Sequence, residues 1–322
     1  MTMAEFKSIP STNANQTNKA ALKLEQVIDT DKYPILGADL HSDKCKAVLQ
    51  ECHAKLLLDG SCVIPGFIRK DVIARMVSEV SNIEGAYHRN EPMCAFAGKM
   101  HTKKIPDDAD ENHPYVKKHP QSVRAVANDL IPQDTLLRQV YQSDEVKKFL
   151  ASIVQLPNLY AYNDEFQSLN VMYLSEGDQR TWHYDGSDFV VTLSLQRAEK
   201  GGRFEFAPFS RHRDQIINEF NECDDEHFDD IEAITRADGS YKGEMKILTA
   251  SPGDIVVFNG MRSLHHVTPV EGKTTRINAV MSYDTRPTEE QTFSRNVGVD
   301  GVNVMLYGDR VREIYRKRLE MD

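Results

Sequence analysis

The stretch Arg180-Thr-Trp-His-Tyr-Asp-Gly-Ser-Asp-Phe189 decides how the rest of the chain is read. It places His183 and Asp185 two residues apart, just ahead of an apolar run, Phe189-Val-Val-Thr-Leu-Ser-Leu195. In an extended strand residues i and i+2 project from the same face, so one imidazole and one carboxylate point together. That pair is two thirds of a metal site made of two histidines and one carboxylate. Taken alone, the spacing suits a hydrogen-bonded structural pair equally well, and a third ligand in the right context has to decide.

The context is a series of short strands. Phe166–Leu174, Phe189–Leu195, Gly202–Ala207, Met245–Leu248, Asp254–Phe258 and Arg276–Tyr283 are β-branched or aromatic in texture. Turns rich in Gly, Pro and Asp separate them, as in Glu176-Gly-Asp178, Lys200-Gly-Gly202 and Ser251-Pro-Gly-Asp254. Regularly spaced short strands predict a β-sandwich or jelly roll. The N-terminal half reads differently. Helical spacing runs over Ser42–Leu58 and Lys70–Ile83, and again over Ser122–Val154 with a break near Pro132. Gly60–Gly66 reads as a strand and turn, and residues 88–120 as a long loop, of which Ala95–Lys104 is a candidate lid. The expectation is an α+β chain: a polar, disordered N-terminus over residues 1–20, then a single domain over 21–322. Its helical buttress covers about 21–160 and its β core about 161–310. The acidic run Asn221–Ile231 reads as an insertion between strands.

Bulk properties narrow the partners. The 322 residues carry a net charge of −10, which disfavours a nucleic-acid partner. The basic residues between Arg310 and Arg318 read as an exposed helix face. Five cysteines without a CxxC spacing predict neither a disulfide framework nor a zinc site. No apolar run of membrane-spanning length and no signal-peptide pattern occurs, so a soluble cytoplasmic protein with a small-molecule partner is expected, its oligomeric state open.

The third ligand comes from Asn259-Gly-Met-Arg-Ser-Leu-His-His-Val-Thr-Pro-Val270, in which either His265 or His266 serves as the second imidazole. Arg276, eleven residues after His265, opens the next predicted strand. The order His-x-Asp, distant His, then Arg resembles the Fe(II)/2-oxoglutarate-dependent oxygenases. Further pieces are similar to the subgroup of that superfamily that hydroxylates or halogenates free amino acids. These are Trp182, Gly201-Gly-Arg-Phe-Glu-Phe206, Pro252-Gly-Asp254, Leu264-His-His-Val-Thr-Pro-Val270 and Tyr307-Gly308. The resemblance spans Phe166 to Arg310.

The resemblance implies a double-stranded β-helix core and a site of His183, Asp185 and His265 holding Fe(II), with His266 in the neighbouring place. It implies 2-oxoglutarate and O2 as co-substrates. Arg276 would pair with the far carboxylate of 2-oxoglutarate through two charge-assisted hydrogen bonds. Asn170 and Ser282, on adjoining predicted strands, are candidate helpers for the co-substrate. Halogenases of the subgroup replace the carboxylate by glycine; Asp185 is retained here, which implies hydroxylation, desaturation or oxidative ring closure. The substrate expected is a small amino acid or a derivative, in a natural-product setting. Ring closure on an N-substituted glutamate, as in the kainoid synthases, is one form this takes. Arg180, Arg262 and His266 are candidate substrate contacts, each also readable as an ordinary surface or packing residue. Arg211, His212 and Arg213 read as surface charges. Three other classes fit parts of the pattern: a peptidyl or protein hydroxylase, a zinc hydrolase on the same two histidines and aspartate, and a sandwich-fold binding protein without turnover.

Overall fold

The computed structural model describes residues 22–94, 110–113, 116–211, 228–236, 240–291 and 297–320. The expectations for the N-terminal 20 residues, for the Ala95–Lys104 lid, for His212 and Arg213 and for most of the acidic insertion lie outside these. Eleven strands build two facing antiparallel sheets. In chain order they are β1 (Ser61–Ile64), β2 (Tyr87–Arg89), β3 (Val123–Val126), β4 (Leu169–Leu174), β5 (Arg180–His183) and β6 (Val190–Gln196). There follow β7 (Phe204–Ala207), β8 (Lys246–Leu248), β9 (Ile255–Phe258), β10 (Leu264–Val267) and β11 (Arg276–Met281). The larger sheet has seven strands in the order β1-β9-β6-β11-β4-β3-β2, and the smaller has four, β8-β7-β10-β5. Consecutive strands alternate between the sheets over much of the chain, which is the jelly-roll arrangement expected.

The larger sheet sorts its side chains by the two-residue period of a strand. Val191, Leu193 and Leu195 of β6, Ile255 and Val257 of β9, and Ile277, Ala279 and Met281 of β11 point one way into the main core. Helices cover that face: α1 (Asp43–Asp59), α2 (Lys70–Val80), α3 (Leu136–Gln142) and α4 (Asp144–Ile153). Met76 and Val80 of α2 and Phe149 and Leu150 of α4 are fully enclosed there. The alternate residues, among them Thr192, Ser194, Asn278 and Arg276, face the space between the sheets. A polar inner face under an apolar outer face is a layout for a site rather than for a second core.

The smaller sheet has its own cover. Trp182 and Tyr184 pack outward with Leu264 against Ile231 and Ile234 of α5 (Phe228–Arg236). Two C-terminal helices, α6 (Val302–Tyr307) and α7 (Asp309–Leu319), close the far end of the larger sheet. They are pinned by the buried Asn303, whose Nδ2 donates to both Asp164 oxygens at 3.2 Å and whose Oδ1 accepts from Gln167 Nε2 at 2.6 Å. On α7, Arg310 and Arg318 pair with Asp129 and Glu165, so the basic helix face is latched to the body of the protein.

Two sequence expectations need correction. The helical reading of Ser122–Val154 fails at its start, where Val123–Val126 is a strand between β2 and β4. Val123, Ala125 and Val126 are buried, while Arg124 turns outward over the Tyr173 ring. Four residues, Val-Arg-Ala-Val, are too few for a period to show, and sheet pairing decides them. The stretch read as a loop over 88–120 likewise begins with β2 and carries a two-residue ladder, Met93–Cys94 against Lys118–His119.

Candidate active site

The floor of the site is a cross-strand pair. His183 at the end of β5 and His265 on β10 are direct partners in the antiparallel ladder, and their ring centroids lie 4.1 Å apart. Each imidazole donates through Nδ1 to the carbonyl two residues back, His183 to Thr181 and His265 to Ser263, both at 2.8 Å. With the proton held at Nδ1, each ring turns its Nε2 lone pair toward the cavity.

Asp185 meets those lone pairs from beyond the strand end. Its Oδ1 is 3.6 Å from His183 Nε2 and its Oδ2 3.5 Å from His265 Nε2. It lies just past β5, with its N–H donating to the Gly260 carbonyl at 3.0 Å, so a turn rather than strand alternation aims the carboxylate. Gly260 makes the space: a Cβ there would stand 1.8 Å from Asp185 Oδ2. His183, Asp185 and His265 offer one ligand atom each, all within 4.8 Å of one another.

This donor set fits a divalent metal ion. Two imidazole Nε2 atoms and a carboxylate converge on one point, the donor set of a divalent metal ion. Burial, then His265 and Arg180, hold the His183 imidazole well below its ordinary pKa, so it is neutral. Desolvation opposes ionisation of Asp185, but His265 and Arg180 outweigh it and keep the carboxyl below the usual range. Phe204 lies parallel to the His265 ring and Phe258 meets it edge-on at 4.9 Å, which locks the ring's orientation.

Above the triad a cavity of about 520 Å³ runs between the sheets. Arg276 enters it from the first position of β11, beside Gly202, where a Cβ would come within 3.2 Å of its Cδ. Gly202 has φ +57° and donates to the Pro269 carbonyl at 3.0 Å, so the Gly-Gly turn both tolerates the left-handed backbone and leaves the arginine its channel. Burial pushes the Arg276 guanidinium down to about 10, and no carboxylate among the described residues pairs with it. A buried cation without an anion is a receptor for one. Asn170 and Ser282 line the same cavity, although the Asn170 amide already donates to the Phe166 carbonyl at 2.7 Å.

Of the candidate substrate contacts, the structure brings Arg180 to the cavity, with Nε donating to His183 Nε2 at 3.3 Å. It does not bring Arg262 or His266. His266 follows His265 on a strand and therefore faces the other side of the sheet, stacked on Trp182 at 3.7 Å with Nε2 3.1 Å from Glu205. Arg262 lies over the Phe209 ring and reaches the Arg211 carbonyl. Arg211, read as a surface charge, is 1% exposed and stacks on Tyr184 at 3.6 Å. Sequence reasoning missed Arg89 and overlooked the space-making role of Gly260. Tyr307, noticed only as part of a motif, lines the cavity at the end of α6.

Residues 45–299 match the family model described as Halogenase D. No curated protein sequence matches the chain significantly. Among solved structures, the chain is similar to a 2OG-Fe(II) oxygenase family oxidoreductase from Burkholderia pseudomallei, with 14% identity, 74% of this chain and 91% of that one covered, and a TM-score of 0.45. It is similar also to SnoN, a non-haem α-ketoglutarate-dependent epimerase from nogalamycin biosynthesis, with 16% identity, 74% and 81% covered and a TM-score of 0.48. HygX from Streptomyces hygroscopicus, solved with nickel, 2-oxoglutarate and hygromycin B, gives 11% identity, 73% and 86% covered and a TM-score of 0.46.

Proposed function

The chain belongs to the Halogenase D family, and from that premise we propose that it is an Fe(II)- and 2-oxoglutarate-dependent oxygenase that oxidises a small amino-acid-like substrate without halogenating it. The observation that carries the reading is the convergence of His183, Asp185 and His265 at one end of a cavity that also holds the unpaired Arg276. His183, His265 and Asp185 would hold the iron. Arg276 takes the far carboxylate of 2-oxoglutarate, while Ser282 and Asn170 line the same cavity toward the other end of β11. Bound iron, 2-oxoglutarate and O2 together supply an oxidant able to take hydrogen from carbon, releasing succinate and CO2.

The protein's own residues do the rest. The Nδ1 hydrogen bonds to Thr181 and Ser263 orient both rings, so that each Nε2 faces the metal position. Asp185 occupies the place at which halogenases of this subgroup carry glycine, and with a carboxylate there no position is left beside the imidazoles for a halide. The outcomes that remain are hydroxylation, desaturation and ring closure, including the kainoid type. A zinc hydrolase would give the buried Arg276 no task.

Anaerobic titration with Fe(II) and then 2-oxoglutarate tests the reading. A weak visible charge-transfer band that needs both additions and disappears in His183→Ala is expected. Iron binding with no band on adding 2-oxoglutarate would discard the co-substrate assignment.

A further inference from the structure

Two guanidiniums in the cavity carry donors that the protein leaves unmet. Arg89, at the end of β2, is 7% exposed, yet its Nε and Nη2 are buried without an acceptor. Arg180, at the start of β5, has Nη1 in the same condition. Both line the cavity together with His183 and Asp185. Buried donors without partners cost free energy, and two like charges placed close together cost more. Burial, with the charge of Arg180 beside it, pushes the Arg89 guanidinium down to about 9. Asp185 acts on Arg180 but is engaged with both imidazoles, and no carboxylate among the described residues pairs with Arg89.

We propose that Arg89 and Arg180 form a single anion clamp and that the substrate carries two acid groups, as a dicarboxylic amino acid or an N-substituted one does. One carboxylate answers one guanidinium through two parallel hydrogen bonds, and the second guanidinium then calls for a second acid. A basic amino acid would add a third positive charge to the same end of the cavity. Val123, Met172, Leu174 and Leu306 add apolar wall to the cavity, which gives room for a hydrocarbon substituent. The clamp rests on the proposed function in one respect: 2-oxoglutarate is itself a dicarboxylate, and Arg276 has to be its anchor for the other two arginines to be left to the substrate.

The test is equilibrium dialysis under nitrogen on the protein loaded with Fe(II) and saturating 2-oxoglutarate, so that Arg276 is occupied. The probes are L-glutamate, L-2-aminoadipate and N-benzoyl-L-glutamate, set against L-glutamine and N-benzoyl-L-glutamine. At least one diacid is expected to bind tenfold or more tightly than its amide, with affinity falling as salt rises. Arg89→Gln should remove that preference while leaving the 2-oxoglutarate band intact, and Arg180→Gln should remove the preference as well. Because Arg89 is buried and its variant can misfold, the diacid-to-amide ratio of the unaltered protein stands as an independent measure. Equal binding of acid and amide, or no binding of any diacid, overturns the clamp. Loss of the band in the unaltered protein would instead count against the co-substrate assignment, which separates the two failures.

Discussion

A single hydrogen atom at position 260 decides whether Asp185 can reach the imidazoles. Gly260→Ala would put a methyl group where Asp185 Oδ2 stands, 1.8 Å from the new Cβ, in a turn that the Asp185 N–H already anchors. The carboxylate has to rotate out, and the metal site drops to two ligands. Iron retained after dialysis is expected to fall tenfold or more. At Arg276 the expected loss is of a different kind. Arg276→Ala removes a bidentate partner for a carboxylate, and succinate release at subsaturating 2-oxoglutarate should drop by more than tenfold with iron content unchanged. Arg276→Lys should recover only part of it, because an ammonium cannot match the planar fork.

At the level of elements, α6 holds its cavity residues through one amide. Asn303 is 1% exposed and bonds to Asp164, Gln167 and the Tyr315 hydroxyl at once. Asn303→Leu strands those partners and should lower stability by roughly 2 kcal/mol in urea unfolding. Since α6 ends in Leu306 and Tyr307 on the cavity wall, KM for the substrate should rise more than KM for 2-oxoglutarate. The same scale explains what the sequence could tell. His183, Asp185, His265 and Arg276 were legible because each sits beside a strand with clear alternation or a turn with Gly and Pro. His266 was misplaced although alternation alone puts it opposite His265. Arg89 was not legible at all: β2 is three residues long and β3 four, and segments that short carry no period of their own. Their membership of the sheet is decided by pairing at a distance: β2 pairs with β3, and β3 with β4.

For the whole molecule the consequence is that the halves are not separable. β1, β2 and β3 come from the N-terminal half and form both edges of the seven-stranded sheet. A fragment starting near residue 161 would expose the apolar outer face that α2 and α4 cover, and it is expected to aggregate rather than give a cooperative melt. The full chain should melt in one transition. Adding Fe(II) at a hundredfold its dissociation constant should raise stability by about 2.7 kcal/mol, and a chelator should reverse the shift; no shift would mean that the triad does not take metal in the folded state. The net charge of −10 contrasts with a cavity lined by Arg89, Arg180 and Arg276, so the cationic groups that can meet an anion are gathered inside an acidic protein.

The chain has a single tryptophan, and it is Trp182, 7% exposed and stacked on His266 directly behind the two facing imidazoles. Its backbone neighbour is His183, and its ring partner is the neighbour of His265. The molecule therefore carries a built-in optical reporter: excitation at the indole band interrogates one place, and that place is the rear wall of the site. Quenching by a paramagnetic ion, a shift in emission on ligand entry, and the lifetime of the excited ring can be followed without any label.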